Sequence, residues 1–333
     1  GRLAEWDCRN NRLAEVGLSQ DGLTDAVARV RKRYGAERIA VCMATSTSGV
    51  EQGERAYRER GASGPLPAWF NHRTTQNVYS VGGYIRARLG LAGPCAVTST
   101  ACSSSARVFA SAHRLIATGC ADAALVGGVD SLCLTTLYGF NALQLLDARV
   151  CRPADATRAG LSLGEAAGFA LLERDRADSG QLLGYGESSD AWHMSAPQPE
   201  GRGAAAAMHG ALARAGMQPS DVDHVHLHGT ATRANDVIED QAVRAVFGPG
   251  IACSSTKGWT GHTLGAAGIV SAALSLLCLQ HGVLPRSLNT ERVDPAISAH
   301  VLLQTRRSAV RRVMANAFGF GGSNCSLLFG ATP

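Results

Sequence analysis

Aromatic residues are scarce in this chain. Phe, Trp and Tyr make up 5% of its 333 residues, against 38 glycines. So little bulk and so much glycine suit a globular protein whose backbones pack closely. The ten cysteines form no C-x-x-C pair and follow no regular spacing. That argues against a disulfide framework in a chain this long and favours reduced thiols in the cytosol. No uninterrupted apolar stretch approaches the roughly 20 residues of a membrane span, and no signal peptide opens the chain. The 32 Lys and Arg are mostly arginine and scattered, for a net charge of +5. No basic run is dense enough to argue for nucleic acid, while an acidic partner is allowed. Gly1-Arg2 carries no initiator Met.

The length suits two domains or one large α/β unit. Residues 20 to 34, 80 to 91 and 103 to 118 read as helices. Residues 38 to 49 ("RIAVCMATSTSG"), 94 to 100, 122 to 131 and 165 to 174 read as strands. The second half repeats the plan, with helices over 203 to 215 and 234 to 247 and strands over 223 to 229 and 251 to 256. "GAAGIVSAALSLLCLQHG" (265 to 282) resembles 102 to 119, since both begin Gly/Ala/Ser-rich and turn apolar. Helices this lean can sit in a crowded centre. The expectation is two similar halves, 1–180 and 181–333, each giving one central helix to a layered α/β fold.

Four stretches carry candidate chemistry. "VTSTACSSSARVF" (97 to 109) places Cys102 where a strand becomes a helix, although most free cysteines simply fill space. In "HVHLHGTATRAND" (224 to 236), strand alternation puts His224, His226 and His228 on one face. Three imidazoles could hold a metal, but no Cys or carboxylate is spaced to complete the set. His228 differs because Gly229 turns the chain after it. "STKGWTGHTLGAAG" (255 to 268) holds Lys257 and His262, the latter just before the second central helix, where a helix N-terminus favours a neutral ring. Ser254 to Lys257 also fits S-x-x-K, but the companion motifs of that pattern are absent. "NAFGFGGSN" (316 to 324) reads as a loop with unusual backbone angles around Phe318 and Phe320; no Lys-Ser/Thr follows as a P-loop requires.

Taken in order, one Cys, a His, a Lys, a second His and a GFGG loop resemble the β-ketoacyl-acyl carrier protein synthases, condensing enzymes of the thiolase superfamily. "TACSSS", "GVDS", "GFNALQLL", "GLSLGEAAGFALLE", "HGTAT", "KGWTGHTLGAAG" and "NAFGFGGSN" fall in family order over about residues 5 to 330. The resemblance implies a five-layered αβαβα fold made of two similar halves. It implies that Cys102, at the N-terminus of a buried helix, takes an acyl group from a carrier protein as a thiolate stabilised by the helix end. His228 and His262 would donate hydrogen bonds to malonyl-acyl carrier protein as CO₂ leaves, and the N–H groups of Cys102 and Phe320 would hold an oxyanion. Lys257 would orient this network, Phe320 would gate the acyl channel, and Phe318, Thr230 and Thr232 would line the pocket. Arg9, Arg12 and Arg149 are the implied docking contacts for an acidic carrier protein. The implied assembly is a homodimer or a heterodimer with a paralogue. No cofactor, metal, nucleic acid or membrane is implied.

Departures from the family pattern carry expectations too. Ala231 stands where HGTGT has its second Gly; a positive φ there would strain it by about 1 kcal/mol. Ser271 stands where fatty-acid members carry Glu, which could alter Lys257. These variants resemble members that make specialised polyene- or polyketide-like lipids. The family's first strand and V-T-G-like turn, which precede the segment matching "DCRNNRLAEVGL", are missing, so the resemblance implies a truncated or unmatched start. Two other functions compete. One is a catalytically silent chain-length partner subunit, against which Cys102 argues. The other is a CoA-dependent thiolase using Cys325 as a second cysteine.

Overall fold

A computed structural model describes residues 3–174 and 180–332. Two sheets organise it. The first has the strand order β2-β1-β3-β4, built from β1 (Ile39–Ala44), β2 (Cys95–Thr98), β3 (Ala123–Asp130) and β4 (Ala166–Glu173). β1 and β3 are buried along their whole length. Their unbroken runs of small and branched residues suit parallel strands covered on both faces. β4 runs antiparallel to β3.

The second sheet is ordered β5-β12-β11-β6-β7-β9. It comprises β5 (Gln181–Ser189), β6 (His224–His226), β7 (Ala252–Ser254), β9 (His300–Val301), β11 (Arg312–Gly319) and β12 (Ser323–Gly330). β7, β6 and β11 are parallel and β12 is antiparallel to β11. The order β7-β6-β11-β12 therefore repeats β2-β1-β3-β4 in both sequence and sense. The second sheet adds β5 beside β12 and β9 beside β7; among the described residues β4 has no partner on its other edge. A short hairpin of β8 (Val283–Leu284) and β10 (Arg306–Arg307) stands apart.

Helices complete five layers. α1 (Arg9–Leu18), α2 (Leu23–Tyr34) and α4 (Ser80–Leu89) cover the outer face of the first sheet. α7 (Arg202–Ala215) and α8 (Arg233–Phe247) form the outer layer of the second, sharing a core with Val225, Cys253 and Met314. α5 (Ser104–Ala117) and α10 (Ala267–His281) lie between the sheets and touch both. α3 (Val50–Arg60), α6 (Leu134–Ala142) and α9 (Lys257–Thr260) lie in connections. The result is the αβαβα arrangement, with the lean helices in its centre.

The two central helices cross where neither has bulk. A Cβ on Gly268 would lie 2.3 Å from the Ala106 nitrogen, so only glycine permits this approach. The segment Leu264–His281 is long and apolar enough to cross a membrane by composition, contrary to the expectation that no stretch comes close; 61% of it is buried inside the fold. The Gly-rich segment read as a loop is mostly strand. Asn316 to Gly319 belong to β11, and the turn is confined to Phe320–Gly322.

Candidate active site

The TACSSS segment leaves β2 through a tight turn in which Ala101 takes a left-handed φ of 50°. Its serines are structural. Ser103 Oγ donates to the Thr100 carbonyl at 2.9 Å, Ser104 Oγ donates to Ala101 O at 2.5 Å, and Ser105 Oγ accepts the Ile269 N–H of α10 at 2.9 Å. Hydroxyls this short satisfy buried backbone groups that longer side chains would displace. Cys102 is thereby held two residues before α5, at the floor of a cavity of about 270 Å³.

His262 approaches the sulfur from the other half of the molecule, its Nε2 lying 3.1 Å from Cys102 Sγ. Its backbone is locked to the first half, its N–H on the Ser162 carbonyl at 2.7 Å and its carbonyl on the Gly164 N–H at 3.0 Å. Three residues on, Gly265 N–H donates to the Asp130 carboxylate. That buried carboxylate also gathers the Ser46 and Thr47 N–H groups and the hydroxyls of Thr45, Ser46 and Thr47. Asp130 thus ties the end of β3, the β1 turn and the entry to α10 into one knot. Leu264 N–H donates to His262 Nδ1 at 3.2 Å. A nitrogen that accepts carries no proton, so the ring's proton sits on Nε2 and faces the sulfur.

His228 completes the cluster, its ring 5.3 Å from that of His262 and nearly perpendicular. Its peptide is gripped by opposite charges. His228 N–H and Gly229 N–H each donate to the Glu239 carboxylate at 2.7 Å, while the Lys257 ammonium donates to the His228 carbonyl. Burial and the Lys257 charge lower His228 well below its ordinary value and push His262 down to about 3. Burial and Lys257 thus favour the neutral form of both rings, and α10 starts five residues after His262. Burial also lowers Lys257, which Glu239, Cys102, Cys151 and Asp236 hold up.

The sulfur corrects one expectation. Burial pushes the Cys102 thiol up to about 11, against the lowering effect of the Phe320 N–H, Lys257 and its own N–H. Desolvation is the largest of these influences, and α5 begins only at Ser104. The resting residue is a thiol surrounded by donors suited to an anion.

Thr230, Thr232, Phe318 and Phe320 line the cavity with Cys102, His228 and His262. Phe320 stacks on Phe140 with centroids 5.6 Å apart. The three-histidine metal reading fails: His224 Nε2 pairs with Ser254 Oγ and His226 Nε2 with Thr256 Oγ1. Ligand atoms of Cys102, His228 and His262 do lie within 4.8 Å of one another. A cation there would need the His262 nitrogen that already carries the proton, and it would face the Lys257 charge. Cys325 is buried on β12 outside the cavity, its thiol pushed up by burial. Arg9, Arg12 and Arg149 do not line the cavity either. Arg9 makes two bonds to Glu165 (3.0 and 2.6 Å), Arg12 meets Asp7 at 2.6 Å, and Arg149 meets Asp147 at 3.3 Å. Ala231 has a φ of 66°, the strained conformation anticipated.

With this geometry, the sequence matches two family models, "Beta-ketoacyl synthase, N-terminal domain" over residues 14–177 and "Beta-ketoacyl synthase, C-terminal domain" over residues 179–291. A 3-oxoacyl-[acyl-carrier-protein] synthase 2 from Synechocystis is 33% identical over 94% of this chain and 80% of its own length. The chain belongs to the β-ketoacyl synthase family. A mitochondrial 3-oxoacyl-[acyl-carrier-protein] synthase of Arabidopsis thaliana is 37% identical over 76% of this chain, which spans 59% of that enzyme's length. Among solved structures, the ketosynthase ApeO of Xenorhabdus doucetiae, in complex with its chain length factor ApeC, superposes with a TM-score of 0.93 at 41% identity. The match covers 99% of this chain and 83% of that one.

Several residues of this site escaped sequence reasoning. Asp236, Glu239 and Asp240 are buried on α8 together with Val243. Acids at i, i+3 and i+4 ahead of a valine at i+7 occupy an apolar stripe, and that spacing is the signal that was available. Asp236 accepts the Ala154 and Ala231 N–H groups and lies 3.2 Å from Arg158, which also meets Asp294 at 2.6 Å.

Proposed function

We propose that the chain catalyses a decarboxylative Claisen condensation between an acyl group held on Cys102 and malonyl-acyl carrier protein. The observation that carries this reading is the contact of Cys102 Sγ with a proton-bearing His262 Nε2, beside a second neutral histidine, in an apolar-lined cavity. In the first half-reaction Sγ attacks the carrier thioester. The N–H groups of Cys102 and Phe320 take the oxyanion, and the carrier thiol leaves with the cysteine proton. In the second, malonyl thioester loses CO₂ and its bond electrons pass to the thioester oxygen, where His228 and His262 donate. The enolate carbon attacks the acyl carbonyl on Cys102, a C–C bond forms and the C–S bond breaks. One solvent proton restores the thiol, and 3-oxoacyl-acyl carrier protein leaves. Preorganised donors of this kind are among the largest contributions to such reactions. No cofactor enters this sequence.

The chain's likeness to a ketosynthase solved with a chain length factor supports work beside a second subunit, a copy or a paralogue, and a specialised lipid pathway. The edge of β2, paired only with β1 among the described residues, offers a strand for it. Ten free cysteines support a reducing cytoplasm. The deciding experiment is intact mass measurement after incubation with a panel of acyl-carrier proteins. Wild type gains one acyl group and Cys102→Ala gains none. An adduct on Cys325 would sink the proposal and restore the thiolase reading.

A further inference from the structure

The Phe320 N–H faces the Cys102 sulfur from the tight turn between β11 and β12. Gly321 and Gly322 take φ values of 77° and 73°; Gly321 N–H donates to Met194 O at 2.8 Å, Gly322 O accepts the Asp190 N–H at 2.9 Å, and Phe320 stacks on Phe140. Two further contacts tie it to the nucleophile segment and to α5. On one side Gly319 lies against the nucleophile turn; a Cβ there would meet Thr100 O at 2.9 Å and Cys102 N at 3.2 Å. On the other side Ser323 is gripped from α5. Its hydroxyl lies 3.0 Å from Ser103 Oγ and accepts Arg107 Nη1 at 2.6 Å. The same guanidinium donates Nε to Glu187 of β5 at 2.9 Å, and Arg114 Nη1 meets the other oxygen of that carboxylate at 2.7 Å. Arg107 and Glu187 are mostly buried, with side chains 28% and 19% exposed. A planar fork held by a carboxylate cannot swing freely, so it fixes where Ser323 sits.

We propose that Arg107, braced by Glu187, is a positioning residue for the oxyanion site, holding the Phe320 N–H on Cys102 through Ser323. This rests on the reading of Cys102 as the acyl carrier. Arg107 touches no reacting atom. Its contribution is to keep the Phe320 N–H at one distance from Cys102. The oxyanion is formed when the acyl group is transferred to and from sulfur, whereas decarboxylation relies on the two histidines. Loss of the strut should therefore separate the two half-reactions.

The test uses Arg107→Met, Arg107→Lys and Ser323→Ala in the full chain. Acyl loading of Cys102 is followed by stopped-time mass spectrometry, and CO₂ release from malonyl-acyl carrier protein is followed separately. Losing one oxyanion donor costs about 10²–10³-fold, and a displaced donor less. Arg107→Met is expected to slow loading by about 10- to 100-fold and to leave CO₂ release within about 3-fold. Ser323→Ala should do the same, the double variant should lose no more than either single, and Arg107→Lys should recover part of the rate. Equal losses in both half-reactions would show a merely structural residue, and an unchanged loading rate would show that the turn holds itself; either result overturns the proposal. If wild type itself forms no adduct on Cys102, the underlying reading has failed, and that outcome is distinct from both.

Discussion

Gly268→Ala puts one methyl group into the crossing of α5 and α10, with consequences that can be worked out. The new Cβ would stand 2.3 Å from the Ala106 nitrogen and 2.9 Å from Ala106 Cβ, where ordinary contact needs 3.4–4 Å. The helices must part by about 1 Å, because a close-packed interior has no slack to absorb the methyl. Overpacking of this kind costs about 1–3 kcal/mol. Replacing glycine by alanine inside a helix returns about 1 kcal/mol. The net loss is about 0–2 kcal/mol, a Tm change of a few degrees. Catalysis is far more exposed. Cys102 lies four residues before Ala106, and His262 lies six before Gly268, so the 3.1 Å contact straddles this crossing. Opening it by about 1 Å should lower condensation by about 10²-fold. Calorimetry and condensation rates measured side by side check this, with Gly250→Ala, which meets nothing within 4 Å, as control. A Gly268→Ala variant with wild-type turnover, or one whose stability collapses before its activity, would refute the idea that this crossing sets the distance.

His262→Ala and His228→Ala should each slow CO₂ release by about 10²-fold or more, the cost of a lost oxyanion-type donor, while loading falls less. Because burial and Lys257 hold His262 at about 3, the pH–rate profile between pH 5 and 8 should show no histidine titration; a limb lost with His262→Ala would contradict that. Reversing charge with Arg9→Glu and Arg12→Glu is expected to raise KM for carrier-protein substrate modestly and to spare small thioesters. Both residues already pair with carboxylates, so equal losses on both substrates would place docking elsewhere.

The architecture was legible because its signals are local. The unbroken apolar runs of β1 and β3 and the lean starts of α5 and α10 each state their burial in sequence. The Cys102, His228 and His262 constellation was legible only through resemblance, since nothing in the spacing places residue 102 against residue 262. What stayed hidden was the charge that serves them. Asp130 and Glu239 look like ordinary acids in sequence, and only the fold brings six donors to one and three to the other. The upward push on the Cys102 thiol was hidden for the same reason, since desolvation is a property of the assembled cavity. The Gly-rich turn was assigned too much length because glycine marks the sharp point of a hairpin as readily as a whole loop.

Glu239 gives a last prediction, in which stability and activity move in opposite directions with pH. Burial raises its carboxyl to about 7, against the opposing hydrogen bonds of Gly229, His228 and Asn316. The unfolded chain loses this proton near its ordinary value of 4.5. Between those limits the folded state holds more protons than the unfolded state, so stability falls as pH rises from about 4.5 to 7 and is level above. The magnitude for this group is on the order of a few kcal/mol at most. The clamp on the His228 peptide works the other way. Two N–H groups donate to the carboxylate, and Lys257 holds the adjacent carbonyl. Protonating Glu239 removes the charge that those donors face, and His228 is freed to shift. Decarboxylation should therefore decline as pH falls through about 7, while chemical denaturation should show the protein more stable at pH 5.5 than this group allows at 8. Glu239→Gln should abolish both slopes, giving pH-independent, reduced decarboxylation with folding retained. If the variant keeps the wild-type acid limb, the titrating group is another one, and the clamp is not what sets His228 in place.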